Sequence, residues 1–329
     1  MKKLICFCWA ISLSFSLLAQ NTVTGYVYED SNQNGKKERR EKGIPEVAVS
    51  NGKEVVLTDK KGKYTLPIGT DNIIFVIKPS GFKVPVGENQ LPDFYYIHKP
   101  DGSPKLQYKG TEPTGKLPKS VNFALHAIEE PGNFTAMIFG DPQPYNKTEL
   151  DQFAKGVVDK AKEENNISFG ISLGDLAGDD LDLHPPYVEI LKRTSWHWHN
   201  VMGNHDMNYD AKIDEHSDES FERVFGPANY SFNHGNAHFI ILDDILYPDP
   251  RDGKGYWGGF TKTQLDFVEN DLKHVAKDKL IVLAFHIPLQ HFNEDRFKDS
   301  DRQRLFNILA DYPHRLAMSA HTHLQQLLY

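Results

Sequence analysis

Cysteine is nearly absent from this chain of 329 residues: the two present, Cys6 and Cys8, both fall in the opening segment. Beyond it no thiol remains, so a disulfide framework and a thiolate zinc site are excluded, and any metal must be held by oxygen and nitrogen. Long apolar runs are scarce too. Residues 4–18 form one, after Lys2-Lys3 and before the small residue Ala19. It falls short of the ~20 residues that span a bilayer, so residues 1–19 are expected to be a secretory signal cleaved near Ala19 rather than an anchor. A mature chain without a transmembrane segment, periplasmic or extracellular, follows. An excess of positive charge is also missing. The formal charge is −8, and losing Lys2 and Lys3 takes it to −10, which argues against a nonspecific polyanion-binding surface. The basic run Lys36-Lys37-Glu38-Arg39-Arg40 is broken by an acid and reads as a solvated loop.

The remaining composition, 39% hydrophobic and 25% charged, is that of a globular chain long enough for two domains. Residues 20–130 read as a small all-β sandwich, with antiparallel strands expected over 22–28, 47–50, 54–58, 64–68, 72–78 and 120–126. Turn signals stand at Asn51-Gly52, Lys61-Gly62 and Gly69-Thr70. Residues 79–119, rich in Pro, Gly and Lys, show little periodicity and read as irregular chain with one or two unplaced strands.

Within this half, Asp30, Asn32, Asn34 and Glu41 stand at positions 1, 3, 5 and 12 of a calcium-loop pattern, with Gly35 at the tight turn. The loop follows a strand rather than a helix and resembles the calcium-stapled loops of B-type repeats in bacterial surface adhesins, where Gly43-Ile44-Pro45 and Val47 have counterparts. Two readings stand: a weak calcium site, or an Asn/Gly-rich turn without an ion.

After Glu130-Pro131-Gly132 the pattern changes to alternating strands and helices over residues 131–329. Five polar islands each follow an apolar run: Gly140-Asp141-Pro142-Gln143, Gly174-Asp175, Gly203-Asn204-His205-Asp206, Phe285-His286 and Ala320-His321-Thr322-His323. Ligands of open α/β sheets gather outside the carboxyl ends of strands, where side chains from distant positions converge. Carboxylate, amide and imidazole groups are what a pair of divalent cations requires when each must keep a position open for water. Between the islands, Leu150, Phe153, Val157, Val158 and Ala161 recur at helical spacing. Thr261 to Gln264 has the form of a capping box ahead of Leu265, Val268, Leu272 and Val275.

In order and combination, these islands resemble the calcineurin-like metallophosphoesterase superfamily, secreted bacterial type with an N-terminal β-sandwich domain. The resemblance covers residues 133–323. It implies a layered α/β fold, a central β-sandwich flanked by helices, and an enzyme of the metal-dependent phosphoric ester hydrolase class in which a metal-bridging hydroxide attacks phosphorus. It places Asp141, Gln143, Asp175 and His323 on one divalent ion, and Asp175, Asn204, His286 and His321 on the other. His205 would face the phosphoryl group as the catalytic imidazole, its tautomer fixed by Asp206. Two positions depart from the commonest pattern. Gln143 replaces a histidine with a neutral oxygen donor, which predicts a more labile site, and Ala320 replaces a glycine. No tyrosine ligand lies beside Asp175, so Mn, Zn, Mg or ferrous iron is favoured over a ferric ion.

Further candidates have plainer alternatives: Trp196 to His199 form a pocket wall or a core strand, Asp179, Asp180 and His184 are substrate contacts or a solvated helix entry, and His291 and Arg296 stand in a polar segment after His286 where a phosphate-facing lid could be. The expected substrate is a small-molecule or cell-envelope phosphoester. The alternatives are a surface adhesion or carbohydrate-binding protein with a vestigial catalytic half, and a nuclease, which the absence of a basic groove disfavours. Relatives of this layout commonly continue into a further domain, so a truncation at Tyr329 is an expectation of the sequence.

Overall fold

The computed structural model describes residues 21–290 and 296–327. The signal-like segment and His291 lie outside the described residues. The front half carries β1 (Thr22–Glu29), β2 (Ala48–Ser50), β3 (Val55–Leu57), β4 (Lys63–Pro67), β5 (Asn72–Val76), β6 (Phe82–Lys83), β7 (Tyr95–His98) and β8 (Phe123–Ala127). They form two four-stranded sheets, ordered β4-β1-β8-β6 and β3-β2-β5-β7. Alternation does the local work: along β4, Tyr64 and Leu66 point inward between exposed neighbours, and the Tyr64 hydroxyl donates to the Val121 carbonyl at 2.7 Å. The expectation of a wholly antiparallel front half is corrected. β1 and β8 run parallel, with Val27 opposite Phe123, because the long stretch between them is enough for the crossover that parallel pairing needs. The two strands unplaced in the sequence are β6 and β7. The first is only two residues long and the second is partly buried along most of its length, so neither leaves a clean alternation.

The back half carries β9 (Thr135–Phe139), β10 (Ile167–Leu173), β11 (Trp198–Val201), β12 (Tyr230–His234), β13 (Ala237–Ile241), β14 (Ile245–Leu246), β15 (Trp257–Gly258), β16 (Leu280–Ala284) and β17 (Arg315–Met318). Its helices are α1 (Lys147–Phe153), α2 (Asp159–Ala161), α3 (His184–Leu191), α4 (Glu219–Phe225), α5 (Lys262–Leu272) and α6 (Asp299–Ile308). One sheet, β11-β10-β9, is parallel throughout. In the other, β12-β13-β16-β17, only β12 is antiparallel. All five residues of β13 and the last five of β10 are buried, as parallel strands covered on both faces require.

Two helical expectations met different outcomes. Thr261 and Gln264 form the reciprocal cap of α5, and Leu265, Val268 and Leu272 are buried on its inner stripe. Between α1 and α2, however, residues Ala154–Val158 form a π-helical turn. The extra residue in that turn rotates Val157 out to solvent while Ala154 and Val158 stay buried. The aromatic run 196–199 enters the core: Trp196, Trp198 and His199 are buried, and His199 stacks on Phe232 with ring centres 3.8 Å apart.

Side chains also join the halves. Phe75 meets Phe267 at 5.7 Å and Phe94 meets Tyr230 at 5.0 Å between ring centres. The Asn233 side chain donates to the Lys78 carbonyl at 3.0 Å, and the Lys99 ammonium lies within 2.9 Å of Glu219 and Glu222.

Candidate metal centre

Every island lies just past the carboxyl end of a parallel strand. Asp141 and Gln143 follow β9, Asp175 follows β10, Asn204 and His205 follow β11, His286 follows β16, and His321 and His323 follow β17. Strand register brings these ends level: Phe139 pairs with Ser172, Leu173 with Val201, and Ala284 with both Ile241 and Met318. Five of these residues turn out of their strands in left-handed backbone, with φ of 47° at Asp141, 42° at Gln143, 53° at Asp175, 64° at His321 and 53° at His323. Such a conformation costs a non-glycine residue about 1–2 kcal/mol and persists only where surrounding contacts enforce it. Ala320 is not among the left-handed residues, so the replacement of glycine there carries no backbone penalty.

Asp175, His286 and His321 bring ligand atoms within 4.8 Å of one another. The decisive geometry is around His286, which is wholly buried. Its Nδ1 lies 2.8 Å from the Leu173 carbonyl, an acceptor only, so Nδ1 carries a proton. In the neutral ring Nε2 is then a bare lone pair. That lone pair faces Asp175 Oδ2 at 3.2 Å, Asn204 Oδ1 at 3.2 Å and His321 Nδ1 at 3.3 Å. Four electron-rich atoms converge where at most one proton could sit. A cation is the chemical complement of such a set, and a carbonyl fixing the far nitrogen is the usual way a ligating imidazole is oriented. Burial opposes an imidazolium at His286, but Asp175 outweighs it and pushes the pKa up to about 9, so the one proton this ring of acceptors can hold sits on Nε2 and is what a cation would displace. At His321, burial and the neighbouring His286 push it down to about 4. Burial likewise raises Asp141 above the ordinary carboxyl range, with His286 opposing and Asp175 reinforcing the shift.

Glycine makes room for this convergence at two points. A β-carbon at Gly174 would sit 2.5 Å from His286 Nδ1, and one at Gly203 would sit 2.2 Å from Asp175 Oδ1. Asp141 joins the cluster by accepting from the His321 amide at 3.1 Å, and His323 Nε2 stands 3.6 Å from Asp141 with its side chain mostly exposed. The Gln143 amide N–H donates to the Asp175 carbonyl at 2.8 Å, placing this residue beside the cluster, while its side chain donates to the Tyr145 hydroxyl at 3.1 Å.

The expected pairing of His205 with Asp206 is corrected. His205 Nδ1 lies 2.7 Å from Asp179 Oδ1. Asp206 is fully buried and turned the other way, where it accepts from the amides of Leu176, Ala177 and Gly203 and faces His184 Nε2 at 2.9 Å. Adjacent residues in a tight helical turn, 204–206, point in different directions, so sequence adjacency could not select the partner. Asp179 is thus the half-exposed acid that touches the imidazole. Asp180 caps the turn at 181–183, and His184 is sealed in the core.

Asp244 was missed. It follows β13 as the islands follow their strands, and it accepts from the amides of His286 and Ile287 at 3.0–3.1 Å, holding the His286 loop. Burial raises its carboxyl to about 7, against the pull of His286. The signal was available: Leu242-Asp243-Asp244 ends an apolar run in the same way. Tyrosine rings flank the cluster on two sides, Tyr145 at 6.0 Å from His205 and Tyr256 at 6.2 Å from His321. Beyond Tyr256, Arg296 borders a cavity of about 310 Å³ together with Arg251 and Trp257.

The sequence model of calcineurin-like phosphoesterases matches residues 134–325, and that of the N-terminal domain of calcineurin-like phosphoesterase matches residues 31–112. The chain belongs to the calcineurin-like phosphoesterase family. Calcineurin-like phosphoesterases are metal-dependent, and the oxygen and nitrogen donors gathered around Asp175 suit divalent ions. No curated protein matches the chain. Among solved structures, a double mutant of the shaft pilin SpaA from Lactobacillus rhamnosus GG is similar at 11% identity, over 40% of this chain and 56% of the pilin chain. Its TM-score of 0.21 carries no structural argument. No described helix is long and apolar enough to cross a membrane.

Proposed function

We propose that this calcineurin-like phosphoesterase is an exported enzyme that hydrolyses phosphate mono- or diesters with two divalent ions. The observation that carries the reading is the ring of lone pairs around His286 Nε2. Asp141, Gln143, Asp175 and His323 would hold one ion, and Asp175, Asn204, His286 and His321 the other, with Asp175 shared. Such ions, when bound, supply Lewis acidity, acidifying water and offsetting the charge of a phosphoryl group. The basic-then-apolar opening of the sequence supports export. A layered arrangement of the two back-half sheets, flanked by helices, is the fold that we read with this chemistry.

The protein's own groups then have distinct tasks. His205, with a proton held at Nδ1 by Asp179, has its Nε2 left to exchange a proton with the leaving oxygen. Asp244 keeps the His286 loop in place from behind. Neutral donors at Gln143, Asn204 and the imidazoles leave the positive charge of the ions largely uncancelled for an anionic substrate.

The test is hydrolysis of a panel of phosphomonoesters, cyclic nucleotides, nucleotide sugars and phospholipids, with metal content measured. Asp175→Asn is expected to lose more than ~100-fold in kcat/KM, beyond what loss of an outer-sphere group costs. Full activity in a folded Asp175→Asn protein would overturn the reading.

A further inference from the structure

We propose that the loop at residues 30–41 of the front half is a calcium site, with Asp30, Asn32, Asn34 and Glu41 as side-chain ligands and the Lys36 carbonyl as a fifth. This site is separate from the phosphoesterase centre and does not depend on how that centre is read. Its residues are a complete twelve-position calcium pattern in sequence, but the pattern alone also fits an empty turn.

What distinguishes the two is a buried, unpartnered oxygen. Glu41 is 9% exposed and Asp30 2% exposed. Glu41 Oε2 accepts from the Glu38 amide at 2.8 Å, yet Glu41 Oε1 is buried with no hydrogen-bond donor. The carboxyl group of Asp30 lies against that of Glu41. Two carboxyl groups so placed, one with a buried oxygen that no donor reaches, hold either a proton or a cation between them, and the oxygen set of the loop favours the cation. His126 is the imidazole nearest in effect to Asp30, but its Nδ1 faces the Asp30 main-chain carbonyl rather than the carboxyl group. Lys37 spends its ammonium on the main-chain carbonyls of Glu38 and Glu41, at 2.9 and 2.7 Å.

The rest of the loop is set to present oxygen. Asp30 accepts from the amides of Asn34 and Gly35 at 3.3 and 2.8 Å. Glu38 takes the side-chain N–H groups of Asn32 and Asn34, both at 3.1 Å, while Asn32 Oδ1 accepts from the Asn34 amide at 3.1 Å and Asn34 Oδ1 from the Lys36 amide at 2.8 Å, so each oxygen keeps one further lone pair. Counting Glu41 as bidentate, the loop supplies about six oxygens, the lower end of calcium's usual number. The cation would staple the loop to the sheet behind it, because the Asp30 amide donates to Leu125 of β8, Glu29 donates to Lys42, and the Asp30 carbonyl meets His126 Nδ1 at 2.9 Å.

The experiment is calorimetric titration of Ca²⁺ into the full chain with Mn²⁺ saturating, for wild type, Glu41→Gln and Asp175→Asn. Wild type and Asp175→Asn should each take up one Ca²⁺ with Kd on the order of 10⁻⁴–10⁻³ M, the range of extracellular modules. Glu41→Gln should bind at least ~10-fold more weakly and keep its hydrolytic rate. Should Glu41→Gln fail to fold, Tb³⁺ luminescence sensitised by the neighbouring Tyr28 in Asp175→Asn, displaced by Ca²⁺, decides without it. Absence of uptake by wild type at ~10 mM, or uptake lost in Asp175→Asn and kept in Glu41→Gln, overturns the proposal.

Discussion

At the residue scale, two neighbouring acids of the site divide their work, and substitution should separate them. Asp179 contacts His205 directly and is half exposed, so Asp179→Asn should fold normally, keep its metal content and lose ~10–100-fold in kcat. Asp206→Ala should act through stability. It leaves three buried amides and His184 without their acceptor, which is expected to destabilise the fold by about 3 kcal/mol or more, read as a lower urea midpoint. Equal thermal stability in the two variants would contradict this division.

At the element scale, what matters is how the loop after β11 approaches the loop after β10. Because a side chain at position 203 would overlap both the backbone nitrogen and the carboxylate of Asp175, Gly203→Ala should displace that residue and lower kcat/KM by at least about 100-fold, the cost of a displacement near 1 Å, with circular dichroism separating this from loss of the fold. This is also the scale at which the sequence was most legible. The islands were readable because chemistry-bearing residues end apolar runs, and the α5 cap because Thr261 and Gln264 have reciprocal side chains. The parallel pairing of β1 with β8 was not readable, since strand direction depends on a partner distant in the chain. Nor was the π turn at 154–158, which inserts one residue without altering composition. Asp179 escaped assignment as the partner of His205 because its link crosses from one strand-end loop to another, whereas Asp206 stood next to it in the chain.

At the scale of the whole molecule, the acids around Lys99 couple the front half to α4 and make stability depend on pH. Burial raises the Glu222 carboxyl to about 7 from its ordinary 4.5, although Lys99 opposes the shift. The folded chain therefore retains this proton where the unfolded chain has lost it. The group's contribution is full below about pH 4.5 and declines as pH rises toward 7. Glu222→Gln should flatten that part of the Tm profile between pH 5 and 7, and a profile identical to wild type would show that Glu222 is not the group responsible. Chelation should act on the same scale. Withdrawing bound cations from a protein held at about 100 times their Kd should remove about 2.7 kcal/mol of stability, restored by Mn²⁺.

The proposed ligands come from both parallel arrays: Asp141, Asp175 and Asn204 from the sheet of β9 to β11, His286 and His321 from that of β16 and β17. On that proposal an ion seated between them would be a rivet across the seam, and the event that prepares the protein to cut phosphoesters would also fasten the two sheets together. A purified sample short of metal would then be slack as well as inactive, and its susceptibility to protease along that seam would track its lost turnover.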